Sequence, residues 1–311
     1  MSTSLTTSNP PYEVEEVPGV LRMYSNGSIV RSAKSLFDSP VLDDSFILSK
    51  EILFDVTNNL YLRLYKPAST PSNTKLPVFY YIPGGGFCIR TRMWSNFHND
   101  CIRLASELQA VVIAPDYRLA SEHRLPAAID DAYTAVKWLK DQAVSENPYA
   151  WLNGIADFGR VFISGDSAGA NIAHNLAVRI CAGSNELAPV IVRGYVLLEL
   201  FLVGPSLRRR RFWRLSMPVG ATKDHTLVNP FGPTSPLMET LELGPILVAV
   251  GISDLLKDQV KDYASKLQKW GKNIEFVEYE DKQHGFFTFD PNCEASTHFM
   301  QLIKKFVVVN S

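Results

Sequence analysis

Cysteine is scarce in this chain: four residues in 311, Cys88, Cys101, Cys181 and Cys293, with no C-x-x-C pair. That argues against a disulfide or metal role, and leaves reduced, mostly buried thiols as the expectation. Long apolar runs are absent too. None reaches the roughly 18 residues that a membrane-spanning helix needs. The first ten residues, Met1 to Pro10, are polar and rich in Ser and Thr, without the basic then apolar profile of a secretory leader. The last five, Val307 to Ser311, carry no retention, peroxisomal or prenylation signal. A cytoplasmic location is therefore expected, and Asn26-Gly27-Ser28 reads as a turn rather than a glycosylation acceptor. Nor is there an excess of charge of one sign: 31 Lys and Arg face 32 Asp and Glu, net −1. No global field favours nucleic acid or an anionic membrane as a partner. No internal repeat occurs, and nothing in the pattern speaks to oligomeric state.

What is present is the composition of a globular enzyme-sized chain, 46% hydrophobic and 20% charged, long enough to bury a two-sided core. Residues 76–82 (LPVFYYI) and 110–114 (AVVIA) are continuous β-prone apolar runs, the signature of strands covered on both faces. Residues 161–164, 190–198, 246–251 and 274–279 read as further strands, and Asn59 to Tyr65 as one with a wet face. Amphipathic helices are expected between them, over about 96–108, 126–142, 168–181, 256–270 and 296–306. Strands alternating with helices imply a mostly parallel sheet with helices on both faces. Gly19 to Arg31 reads as two short strands around Asn26-Gly27. Residues 201–243 break the rhythm with Pro, Gly and Arg, and read as an inserted cap on a single 1–311 domain.

Chemistry enters at Gly165-Asp166-Ser167-Ala168-Gly169. A serine between a strand and a helix sits on a sharp turn that lifts its hydroxyl above the sheet, beside a helix N-terminus that favours negative charge. A serine hydroxyl needs a base to take its proton. Of His225, His284 and His298, only His284 follows a strand and precedes the last helix, in a loop at the carboxyl edge. The acid should follow the strand ending at Gly251; Asp254 lies in that loop, whereas Asp258 has the position of an ordinary first-turn acid. Asp254 would fix the tautomer of His284. Pro83-Gly84-Gly85-Gly86-Phe87 follows a buried strand, and glycines there let backbone N–H groups approach a developing oxyanion. Gly84, Gly85 and Ala168 are the expected donors. No cofactor and no metal ion are expected, and activity should rise as His284 loses its proton near 6.5.

These residues resemble the hormone-sensitive-lipase-like group of α/β hydrolases, in particular plant carboxylesterases related to gibberellin receptors. The resemblance rests on the glycine loop at 83–87, Asp116-Tyr117-Arg118-Leu119-Ala120 with Glu122-His123 and Pro126-Ala127-Ala128, the GDSAG elbow followed by Asn171-Ile172-Ala173-His174, Asp254 to Asp258, and His284-Gly285-Phe286. It runs from about Gly19 to the end. It implies the α/β-hydrolase fold, the Ser167–His284–Asp254 triad, a small-molecule ester as substrate, an N-terminal segment (residues 1–45) joining the cap, and structural roles for Tyr117, Arg118 and Glu122. Three positions depart from the family: Pro83 stands where the family has histidine, Ser121 where it has proline, and the cap between Leu202 and Phe212 is short, with Arg208 to Arg211 replacing an acidic helix. That arginine run is open to two readings, an attractor of anionic substrate or a solvated face. The receptors of the family lose the histidine that His284 keeps. A carboxylesterase is the first expectation; elimination or cyclisation of a specialised metabolite, or a weakened non-catalytic binder, are the alternatives.

Overall fold

A computed structural model describes residues 10–32, 40–42, 45–70, 74–89, 92–183, 185–203 and 207–311, with side chains from 211 onward in the last stretch. Residues 1–9, part of the 1–45 segment, residues 204–206 and three of the four arginine side chains of the cap thus lie outside the described residues. The described residues form eleven strands and seven helices: β1(Glu13–Val17), β2(Leu21–Tyr24), β3(Ile29–Arg31), β4(Ile47–Asp55), β5(Leu60–Pro67), β6(Leu76–Ile82), α1(Ser95–Leu108), β7(Val111–Pro115), α2(Ala127–Val144), β8(Ala156–Asp166), α3(Ala168–Gly183), β9(Val192–Leu198), α4(Leu207–Ser216), β10(Ile246–Gly251), α5(Lys257–Lys269), β11(Ile274–Tyr279), α6(Phe286–Phe289) and α7(Glu294–Val309).

The eight-stranded sheet runs β11-β10-β9-β8-β6-β7-β5-β4. It is parallel from β11 to β7, and antiparallel where β5 meets β7 and where β4 meets β5. The period of two along a strand divides its side chains between two cores. Val78, Tyr80 and Ile82 of β6 face one side with α2, α3 and α5. Phe79 and Tyr81 face the other with α1, α6 and α7. Both sides being covered is why β6, β7 and β10 have every residue buried and read as unbroken apolar runs. This is the α/β-hydrolase arrangement that the sequence implied.

The order of connections decides where chemistry can sit. From β6 the chain leaves through α1 to β7 on one side; from β8 it leaves through α3 to β9 on the other. The loops after β6 and β8 therefore diverge onto opposite faces and leave a crevice beyond their carboxyl ends, where open α/β sheets hold ligands. The glycine loop and Ser167 are those two loops.

The small sheet β1-β2-β3 turns at Gly27, whose φ is +82°. It packs through Val17, Val20 and Leu21 on Cys88, Ile89 and Leu215. Arg31 anchors it, donating to both carboxylate oxygens of Glu122 at 2.6 and 2.5 Å and to the carbonyls of Cys88 and Ala120. All four cysteines are free thiols, Cys88 and Cys101 buried, Cys181 and Cys293 half-buried. No described helix is long and apolar enough to cross a membrane.

Candidate active site

Ser167 lies between the last residue of β8 and the first of α3, with φ at +54°. A left-handed conformation is unfavourable for a residue with a Cβ, so the surroundings must hold it. They do so through the backbone: its N–H donates to the Leu198 carbonyl at 2.8 Å, and its carbonyl accepts from Asn171 and Phe201 at 3.1 Å each.

The three side chains that the sequence singled out meet here. His284 Nε2 lies 3.0 Å from Ser167 Oγ. His284 Nδ1 lies 2.8 Å from Asp254 Oδ2. The other oxygen of Asp254 accepts from the Leu256 N–H at 2.8 Å, which fixes the carboxylate's orientation. Asp258 is in the first turn of α5, as expected of it. The other two histidines are engaged elsewhere, His225 with the Leu227 N–H and His298 with the Tyr279 hydroxyl.

The glycine loop departs from expectation at one residue. The N–H of Gly84 donates to Asp166 Oδ1 at 2.8 Å, an oxygen that also accepts from the Tyr81 hydroxyl at 3.1 Å. Gly84 is thus committed to tying the loop to the elbow. Gly85 and Ala168 are left as candidate donors, with no hydrogen bond from either N–H among those described. Sequence reasoning missed Asp166 because a side chain one residue before the nucleophile carries no periodic signal; its reach across to the β6 loop exists only in the folded chain. The carbonyls of Pro83 and Gly84 accept from the Tyr117 hydroxyl at 2.7 and 3.3 Å. Arg118, next to it, grips the buried carboxylate of Asp131 through its side chain and its own N–H. None of these anchors uses an N–H of residue 83. Pro83→His is therefore expected to leave kcat within about tenfold of the parent, well short of the 10²–10³ that a misplaced oxyanion donor costs; steady-state kinetics on the purified pair would show it.

Helix α4 covers the loop closely. A Cβ on Gly86, whose φ is +60°, would come within 2.4 Å of the Phe212 ring from α4. Phe201 stacks on Trp213 at 4.3 Å, and both meet Phe87. A cavity of about 900 Å³ lies beside α4, lined by Val203, Trp213, Met217 and Val228 with Arg124 and Lys223; Ser167 and His284 do not line it. The side chain of His284 is itself 42% exposed, so its ring reaches solvent.

A second buried acid that the sequence did not point to completes the picture. Glu199, directly after β9, is 1% exposed with φ at +52°. Its Oε2 accepts from the Gly285 N–H at 2.5 Å and lies 3.3 Å from His284 Nδ1. Burial raises its pKa above the usual carboxylate value; the charges of Asp254 and Asp166 add to this, while His284 and the Gly285 N–H oppose it. For His284, partial desolvation of the ring would by itself lower the pKa. The charge of Glu199, then the hydrogen bond and charge of Asp254, then Asp166, act the other way and raise it above the ordinary value.

A family model described as alpha/beta hydrolase fold matches residues 79–288. The chain belongs to that family. Among curated proteins, it is 32% identical to probable carboxylesterase 8 of Arabidopsis thaliana, over 92% of this chain and 90% of that one. It is also 32% identical to a 2-hydroxyisoflavanone dehydratase of Glycyrrhiza echinata, over 99% of both. Among solved structures, the Pyrobaculum calidifontis esterase superposes with a TM-score of 0.69 at 27% identity, covering 85% of this chain and 86% of that one. The resemblance to plant carboxylesterases is thus carried by nearly the whole chain of this α/β hydrolase.

Proposed function

We propose that the protein is a carboxylesterase acting on a small ester through Ser167, His284 and Asp254. The observation that carries the reading is the unbroken hydrogen-bonded path from Ser167 Oγ through both imidazole nitrogens to Asp254, at 3.0 and 2.8 Å. His284 takes the hydroxyl proton as Ser167 attacks the ester carbonyl. The N–H groups of Gly85 and Ala168 receive the charge on the carbonyl oxygen, at the N-terminus of α3. The imidazolium, held by Asp254, returns its proton to the departing alcohol. Water then repeats the sequence on the acyl-enzyme and releases the acid. No metal or cofactor is part of this reading. The esterase names of several relatives and of the Pyrobaculum structure support it.

A second reading has specific support: two relatives are named 2-hydroxyisoflavanone dehydratase. Here His284 would remove a proton α to a carbonyl, the hole would hold the enolate, and hydroxide would leave with a proton as water. The two are separated by products. The esterase reading expects short-chain p-nitrophenyl esters to be hydrolysed and a fluorophosphonate to label Ser167. Folded protein that stays unlabelled, releases no p-nitrophenol, and converts a β-hydroxy ketone with loss of 18 Da, roughly one water, would decide for elimination.

A further inference from the structure

Two carboxylates, not one, face the same nitrogen of the base. Glu199 Oε2, Asp254 Oδ2 and a nitrogen of His284 all lie within 4.8 Å of one another. Asp254 has the shorter contact and a backbone partner for its second oxygen. Glu199 reaches Nδ1 at 3.3 Å, and its Oε1 is buried with no hydrogen-bond partner among the described residues. An orphaned carboxylate oxygen in a buried site is costly. It is held there by a residue whose backbone is itself in the left-handed region, fixed by its N–H donating to the Ala249 carbonyl at 2.8 Å. Uncompensated arrangements of this kind persist where the surroundings over-determine them, and they mark functional positions.

Resting on the hydrolase reading above, we propose that Glu199 is a second positioning carboxylate for His284: its negative charge stabilises the imidazolium, so that the base is stronger but is free of its proton only at more alkaline pH than a base held by Asp254 alone. The charged groups facing this cluster among the described residues are Asp254 from the loop after β10, Asp166 from the end of β8 and His284 itself; the Gly285 N–H donates to Glu199 and the Leu256 N–H to Asp254. Above the titration of both groups, His284 is neutral with two carboxylates behind it, and the imidazolium that forms during attack is stabilised twice. As the pH falls, the first proton goes to His284 and removes the lone pair that Ser167 needs. A further proton neutralises Glu199. The sign follows: removing the Glu199 charge lowers the proton affinity of His284 and moves the acid limb of activity to lower pH, while the alkaline plateau falls because the base is weaker.

The test is a ¹⁵N-imidazole NMR titration of the whole protein, wild type and Glu199→Gln, alongside the pH profile of kcat/KM on a p-nitrophenyl ester. Wild-type His284 is expected to titrate above 6.5. In Glu199→Gln the titration and the acid limb should both move down by about one pH unit, roughly tenfold in proton affinity. The variant should then exceed wild type severalfold near pH 6 and trail it at the alkaline plateau. A His284 titration at or below 6.5 in the wild type, or one unmoved by Glu199→Gln, overturns the proposal. Should Glu199→Gln not fold, Asp254→Asn leaves Glu199 as the sole carboxylate at Nδ1; His284 must still titrate above 6.5 in it, and a value below overturns the proposal. Absence of ester turnover with the NMR shift intact would count against the hydrolase reading alone.

Discussion

Ser167→Ala is expected to lower kcat/KM on any ester substrate by roughly 10⁴–10⁶ and to abolish fluorophosphonate labelling, with the fold intact. The size follows from what is lost: the attacking atom itself, not an auxiliary group. What remains is binding and the oxyanion donors, which keep a residual rate above that in water. The fold survives because Ser167 is held by main-chain hydrogen bonds to Leu198, Asn171 and Phe201, all of which alanine keeps. The unfolding free energy of the variant should match the parent to within about 1 kcal/mol, as for substitutions that leave packing unchanged. Persistent labelling, or turnover within tenfold of the parent, would mean that another residue attacks.

Gly169→Ala is expected to cost more than about 4 kcal/mol and to leave little soluble protein. Gly169 is the second residue of α3, the helix that carries the elbow away from the sheet. A Cβ there would lie 1.9 Å from the Ile82 carbonyl oxygen and 2.8 Å from its carbon. Those are main-chain atoms of β6, a strand buried on both faces and paired with β7 and β8. No side chain can rotate to make room, so either α3 or β6 must move. Movement of either would part Ser167 from the glycine loop. Gly183→Ala, whose Cβ would meet only the flexible carboxylate of Glu186 at 3.7 Å, is the control and should be near neutral. Urea denaturation of the two variants beside the parent measures the difference; a Gly169→Ala cost near that of the control would show that the helix and strand are not in the close contact described.

Much of this was readable before any coordinates. The central strands, buried on both sides, announce themselves as apolar runs, and the bounds of β6, β10 and β11 are those expected. What escaped notice lacks that pattern. β4 is an edge strand with mostly exposed or half-buried residues, so it has no clean alternation. α4 has four consecutive arginines where an amphipathic stripe would be sought. β8 starts at Ala156, five residues before its apolar core, among half-buried polar positions. The neighbours of Ser167, His284 and Asp254 were less legible still. Asp166 and Glu199 look ordinary in one dimension.

The sequence by itself determined the fold class and the three residues that meet above the sheet, because strand–helix alternation fixes chain order and chain order assigns each loop to the carboxyl edge. Only the tertiary structure decided which N–H groups of the glycine loop are already bonded and which charges surround His284. Gly84 is taken by Asp166, 82 positions away, and Glu199 reaches a histidine 85 positions away. Hydrogen bonding and electrostatics fall off over a few ångströms in space and are indifferent to separation along the chain.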